Sequence, residues 1–283
     1  MDLTFILIFI TAVILAGAFL LIEMLRQAKK LKIEYQDFFM SENDKENPVK
    51  IVLLTDIHVS RLPINWDYIG TMVSKENPDV IMLAGDYVYD PGEGPLALEF
   101  LQCFANFTDC PVYLTYGNHD NKKTFGYSEE KKAAFTKEVE SISPRFHVLD
   151  NESVETEFRG RKIRICGVGD YRTSDKETAR RNMPVKKDGY YSILLSHNPD
   201  ILTYLPDGCA DLGLFGHYHN GQVRLPFRTE FSILRRRDLL ANKGYIYGKY
   251  DYRGTPIYIS SGLGNANMPI RFMTEAEIAV IRI

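Results

Sequence analysis

Five short apolar runs in this chain each stop at side chains that can hold a metal ion. They are Ile51–Leu54 before Thr55-Asp56-Ile57-His58, Val80–Ala84 before Gly85-Asp86, and Val112–Tyr116 before Gly117-Asn118-His119-Asp120. The other two are Ser192–Leu195 before Ser196-His197, and Leu212–Phe215 before Gly216-His217-Tyr218-His219. Each run has the length and composition of a fully buried strand. Side chains two apart on extended backbone share a side, so His217 and His219 can address one point, as can Asp56 and His58. Gly216 lets the backbone turn there without a Cβ penalty. Ligands just beyond strand C-termini sit where open α/β sheets place their sites.

Taken singly, each ligand has an ordinary reading. Asp56 caps a helix, Asp86 closes a turn, Asn118 sits in a left-handed turn, and His197 is a satisfied core histidine. Recurrence at five strand ends is what the ordinary readings do not supply. The set offers carboxylate, amide carbonyl and imidazole donors and no cysteine, which argues against a structural zinc site. Mixed oxygen and nitrogen donors suit Mn, Fe, Zn or Ni, and a carboxylate can bridge two such ions.

Strands alternate with helical patterns. Helices are expected at Asn65–Asn77, Pro95–Phe107 and Glu129–Ser141, the last as a cap over the cleft. Arg159-Gly160 turns a hairpin, and Pro256–Ser260 and Ile278–Ile283 read as late strands. The pattern argues α/β with a mixed sheet. A chain of 283 residues with net charge −3 allows one large domain and carries no nucleic-acid signature.

Leu3–Ile22 is apolar and uncharged. Twenty helical residues span roughly 30 Å, the thickness of bilayer hydrocarbon. A cleaved signal peptide is the alternative; against it, Asp2 precedes the run with no Lys or Arg, and the run exceeds a signal core in length. Arg26, Lys29, Lys30 and Lys32 follow directly, so the expected topology is single-pass in the inner (cytoplasmic) membrane with the domain facing the cytoplasm. The four cysteines, Cys103, Cys110, Cys166 and Cys209, show no paired spacing and read as free thiols. The expected organisation is a transmembrane anchor with basic flank at 1–32, a linker at 33–48 and a catalytic domain at 49–283. Phe227–Ala241 mixes Phe231, Ile233 and Leu234 with Arg235, Arg236 and Arg237. It reads as a membrane-leaning flap or, equally, as an ordinary surface loop with a solvated charge run.

The ordered set D-x-H, G-D, G-N-H-D, H and G-H-x-H resembles the calcineurin-like metallophosphoesterase superfamily, from about Lys50 to the C-terminus. Ser196–Asp200, Gly221–Pro226, Ser261–Gly264 and Pro269–Phe272 resemble its YkuE-like branch. The resemblance implies a two-sheet β-sandwich flanked by helices, here preceded by one transmembrane helix. It implies two divalent metal ions, one on Asp56, His58 and His219, the other on Asn118, His197 and His217, with Asp86 bridging. His119 would face the substrate phosphate and leaving group. Many relatives carry an acid that braces this histidine where this chain has Tyr89; Asp90 and Asp120 are the candidate substitutes. Tyr218 and Asn220 replace the usual Thr and Gly, and Thr274-Glu275-Ala276-Glu277 replaces a Pro-Pro-Glu.

The implied activity is metal-dependent hydrolysis of a phosphomonoester, phosphodiester or pyrophosphate. With the anchor, the leading substrate is lipid-linked, UDP-2,3-diacylglucosamine of lipid A biosynthesis, which calls for an apolar groove beside the metals. The alternative is an anchored phosphodiesterase or phosphatase for soluble nucleotides or phosphoproteins. A non-catalytic scaffold is disfavoured because every ligand position holds a competent side chain.

Overall fold

The apolar runs become central strands of two sheets in a computed structural model that describes residues 2–172, 186–233 and 235–283. In chain order the elements are α1 (Leu3–Gln27), β1 (Leu31–Asp37), α2 (Glu42–Glu46), β2 (Lys50–Leu54), α3 (Trp66–Glu76), β3 (Val80–Ala84) and α4 (Gly94–Ala105). There follow β4 (Val112–Thr115), α5 (Glu129–Ile142), β5 (Phe146–Val148), β6 (Glu152–Phe158), β7 (Arg161–Gly167), β8 (Tyr191–Leu195) and β9 (Leu212–Phe215). The last are α6 (Thr229–Ile233), β10 (Gly248–Tyr252), β11 (Thr255–Ile259) and β12 (Ala276–Arg282).

One sheet has the order β1-β12-β2-β3-β4-β5 and the other β10-β11-β9-β8-β7-β6. Both are mixed: β2, β3, β4 and β5 run parallel, as do β7, β8, β9 and β11, while β12 and β2, β6 and β7, and β10 and β11 pair antiparallel. Side-chain alternation makes the layers. Ile51 and Leu53 of β2 point between the sheets, against Ile163, Ile193 and Leu212. Val52 and Leu54 point outward into the core beneath α3 and α4. The ligand-bearing loops leave the C-terminal ends of adjacent strands in both sheets, so they meet along one edge of the sandwich.

α3 begins where Asn65 Oδ1 accepts the Tyr68 N–H at 3.0 Å, and it ends at Asn77 in the left-handed region. α5 lies elsewhere than expected. It buries Phe135 and Val139 against α4 and β5, on the flank of the sheet, and lends no residue to the cleft.

The start of the expected linker at 33–48 is a strand. β1 pairs in parallel with β12 from Leu31↔Ala276 to Asp37↔Arg282, and Asp37 receives two bonds from Arg282 at 2.6 and 2.8 Å. An edge strand is half wet, so Lys32, Glu34 and Gln36 alternate with Leu31 and Ile33, and the stretch reads as polar.

α1 has 25 residues, about 37 Å at the helical rise, with mean hydropathy 3.0 in its most apolar window and no buried side chain. It is apolar and long enough to cross a membrane. Among the described residues, only its C-terminal end docks on the domain through hydrogen bonds. Met24 O accepts the Arg271 N–H at 3.1 Å, and Gln27 Oε1 accepts the Met273 N–H at 2.8 Å.

Candidate metal centre

Two groups of ligand atoms converge, Asp56, His58 and His219 in one and Asp86, His197 and His217 in the other; all six residues are buried. His219 Nε2 lies 3.2 Å from Asp56 Oδ1 and 3.3 Å from His58 Nε2. His197 Nε2 lies 3.2 Å from Asp86 Oδ2 and 3.1 Å from His217 Nδ1. Asp86 Oδ2 is also 3.7 Å from His58 Nε2, which puts this carboxylate between the groups. Asn118 lines the same cleft, and its Oδ1 is buried with no hydrogen-bond partner.

These residues fit a pair of divalent cations. His58 donates Nδ1–H to Val88 O at 2.9 Å, and His197 donates Nδ1–H to Ala84 O at 2.8 Å. A neutral ring with Nδ1–H presents a bare lone pair at Nε2. Lone pairs, two carboxylates and an orphaned amide oxygen thus crowd one buried volume and call for positive charge there. Burial opposes a charge on His197, yet Asp86 and Asp56 raise it to about 10. Burial pushes His58 down to about 3 and His217 down to about 4. A proton is drawn to the place where a cation belongs.

The backbone is strained at the same positions. Asp56, His58, Asp86, His217 and His219 take φ of 52°, 43°, 56°, 74° and 50°, in the left-handed region that non-glycine residues avoid. Loop-to-loop bonds hold them there: Gly85 O accepts from Asp56 N at 3.0 Å and Asp86 O from His58 N at 2.9 Å. A Cβ on Gly117 would come within 2.1 Å of Asp86 Oδ1, and one on Gly216 within 2.4 Å of Asp56 Oδ2. Those two glycines leave room for the carboxylates.

Neither candidate acid braces His119. Asp120 is buried and accepts N–H bonds from Asp86, Tyr87 and Gly117, each at 2.8 Å, stapling two ligand loops together. Asp90 turns to Arg61 at 2.8 Å. The brace is Tyr89 itself. Its carbonyl accepts from His119 Nδ1 at 3.1 Å, and its ring stacks on the imidazole at 4.7 Å between centroids. Arg61 covers the Tyr89 ring at 3.9 Å, and the Tyr89 hydroxyl donates to Asn267 at 2.7 Å.

One functional residue escaped the sequence reading. Asp238 is buried, and its carboxylate stands 3.5 Å from His217 Nε2, the nitrogen turned away from the ligand group. Arg172 and Arg235 hold its two oxygens, Arg235 at 2.9 Å. Arg235 also donates to His217 O at 2.6 Å and to Tyr218 O. Arg235 is therefore a brace of the histidine loop and not a free cation of a flap. Phe231 and Leu240 are core residues, whereas Phe227 and Ile233 are 98% and 65% exposed. The segment is a wall of the cleft. Leu234 lies outside the described residues.

The cleft has a volume of about 880 Å³. Arg236 and Arg237 line it on one side, and Val223, Ile233, Met268 and Ile270 give it apolar lining. The loop carrying Met268 and Ile270 is the one on which α1 docks. Arg271 within it is fully buried, and its guanidinium bonds Gly262 O at 3.0 Å and Gly264 O at 2.7 Å. Gly264 N in turn donates to Asp56 O at 2.7 Å, which joins the helix end to the first ligand loop.

Comparison with known proteins agrees with this geometry. The calcineurin-like phosphoesterase family matches residues 49–221. A metallophosphoesterase of Helicobacter pylori strain J99 is 30% identical over 89% of this chain, which spans 64% of that protein's length. Phosphodiesterase YaeI of Escherichia coli K12 is 29% identical, over 85% of this chain and 84% of its own. UDP-2,3-diacylglucosamine pyrophosphatase LpxG of Chlamydia muridarum is 24% identical, over 83% of each chain.

Proposed function

This chain belongs to the calcineurin-like phosphoesterase family and is a metal-dependent hydrolase, and we propose that it cleaves a phosphodiester or pyrophosphate carried by a membrane lipid. The observation that carries this reading is the docking of α1 on the loop that walls the cleft, through Met24 and Arg271 and through Gln27 and Met273. A membrane-spanning α1 would hold that apolar wall at the bilayer surface. Extracting acyl chains into water costs about 0.8 kcal/mol per CH₂, so an enzyme for such a substrate must work at the interface. UDP-2,3-diacylglucosamine is the leading candidate, supported by the likeness to LpxG. The basic residues after α1 favour the cytoplasmic side for the domain.

In this reading Asp56, His58 and His219 would hold one ion and Asn118, His197 and His217 the other, with Asp86 shared between them; Mn, Fe, Zn or Ni would suit the donors. When bound, the ions supply Lewis acidity and water activation. His119 gives its Nδ1–H to Tyr89 O, which leaves Nε2 unspent; in the protonated form of the ring that nitrogen would give a proton to the leaving oxygen. Arg236 and Arg237 complement the substrate's negative charge at the cleft wall. Asp238 and Arg235 keep His217 in its rotamer.

The likeness to YaeI favours the second reading, an anchored phosphodiesterase for a soluble substrate. The deciding experiment compares UDP-2,3-diacylglucosamine in mixed micelles with its deacylated counterpart, using the full-length chain loaded with Mn. The lipid reading expects kcat/KM at least roughly tenfold higher for the acylated substrate, the worth of a few buried CH₂ groups. Equal values turn the assignment to the soluble substrate.

A further inference from the structure

A second cavity, of about 590 Å³, lies beyond the metal loop and is lined by Asn220, Arg224, Phe227, Arg228, Tyr247 and Tyr250 among others. Two guanidinium groups meet there on one neutral acceptor. Arg224 and Arg228 both donate to Asn220 Oδ1, at 3.0 and 3.1 Å. Arg224 Nε is buried with no hydrogen-bond partner. Among the described residues one carboxylate faces the pair: Glu230 Oε1 lies 3.5 Å from Arg228 Nε, while Glu230 Oε2 accepts from Leu225 N, so one negative charge stands against two positive ones. The pair therefore keeps an excess positive charge and an unspent donor in a concave site. Burial and the neighbouring Arg224 depress the pKa of Arg228, the mark of cations crowded together.

The backbone is strained here too. Phe227 and Arg228 take φ of 57° and 58°, conformations that persist only where surroundings impose them. The cavity is also tied to the root of the anchor. Tyr247 accepts a bond from Lys32 Nζ, in the strand that follows α1.

We propose that this cavity binds the phosphodiester of an acidic membrane phospholipid, separate from the substrate cleft. Guanidinium forks match phosphate oxygens, and an anion between Arg224 and Arg228 relieves their repulsion and satisfies the orphaned Nε. Exposed Phe227 and the two tyrosines suit the interfacial region around a headgroup. Asn220 directly follows His219, so the bound headgroup bears on the first ligand group through one residue.

The inference rests on the membrane reading of α1. Alkaline extraction tests that reading by itself: release of the full-length chain from membranes refutes the anchor and leaves the cavity to be judged on its own ligand. The cavity is tested by native mass spectrometry of the full-length chain released from micelles holding equal phosphatidylglycerol and phosphatidylcholine. The wild type should retain phosphatidylglycerol in preference, by roughly tenfold. Arg224→Gln with Arg228→Gln should lose that preference, while Arg224→Lys with Arg228→Lys keeps part of it. Unchanged retention in the Gln pair overturns the proposal. So does arginine-dependent binding of inorganic phosphate without any lipid preference, which would make the ligand a soluble phosphate. A photoreactive phosphatidylglycerol used on the wild type needs no variant: labelling within 220–231 supports the site, and labelling confined to α1 overturns it.

Discussion

The two ligand groups are built from the same parts and held differently. In the group of Asp56, His58 and His219, His58 is pinned by the Val88 carbonyl, and His219 Nδ1 is buried with no hydrogen-bond partner. In the group of Asp86, His197 and His217, His197 is pinned by the Ala84 carbonyl and His217 stands beside the Asp238 carboxylate. A carboxylate behind a ligating imidazole fixes its orientation and raises its basicity, more than a carbonyl does. The second group is preorganised by a charge, and the first relies on loop packing through Gly262, Gly264 and Arg271. The second should therefore keep its ion longer under chelation. Irregular segments far from the strands can set the affinity of a site whose ligands all sit on strand ends.

The largest expected effect removes the comparison altogether. Asp86→Asn touches both groups, because an amide bridges poorly. Turnover should fall by roughly 10³ or more, and elemental analysis should find metal reduced from about two ions to one or none. Full metal content with wild-type turnover would separate Asp86 from both groups.

Next comes a residue outside either group. His119→Asn should lower kcat by roughly 10²–10⁴ and leave metal content unchanged, since the His119 ring is held at Nδ1 by Tyr89 O and belongs to neither group of converging ligand atoms. Metal loss in this variant would make it a ligand and redraw the site.

Asp238→Asn sharpens the contrast directly. It keeps the shape and removes the charge behind His217. Affinity for one ion should drop by roughly 10–100-fold while the other is retained, read as two separated steps in a metal titration. Equal weakening of both steps would show that the groups are a single rigid unit.

The fold was legible where chemistry and periodicity coincide. Asp56, Asp86, Asn118, His197 and His217 announce themselves because each directly follows a buried apolar strand. Asp238 gives no such signal. It sits in an irregular stretch, and its only trace was the acid closing the run Arg235-Arg236-Arg237. In sequence that run reads as solvent- or lipid-facing charge, whereas Arg235 is spent on backbone carbonyls and Asp238. β1 hides in the sequence because the polar side of an edge strand resembles a linker and because, of its apolar side, Leu31 and Ile33 pack on the core while Tyr35 is exposed. α5 carried a helical pattern but no sign of which surface would receive Phe135 and Val139; its partners, α4 and β5, are set by topology.

The smallest effect is a pH profile, and it separates the groups without any substitution. In the metal-free protein His197 is raised to about 10, above its ordinary 6.5. Its contribution to stability is complete below pH 6.5 and is lost as pH rises through 10. His58 and His217 are depressed to about 3 and about 4. The unfolded chain takes up their protons first, so stability also falls as pH drops below 6.5. The contribution of these three histidines to metal-free stability should thus peak near pH 6.5, with one histidine of the second group setting the alkaline limb and a histidine from each group the acid limb. Bound ions occupy the same lone pairs and supply the positive charge that His197 otherwise draws from a proton. The alkaline limb should therefore flatten on loading. Melting temperatures from pH 5 to 10, with and without metal, read this out, at about 2–4 °C for each kcal/mol in a chain of this size. An alkaline limb of equal slope in both forms would mean that no cation replaces the His197 proton, and the second group would lose its claim to an ion.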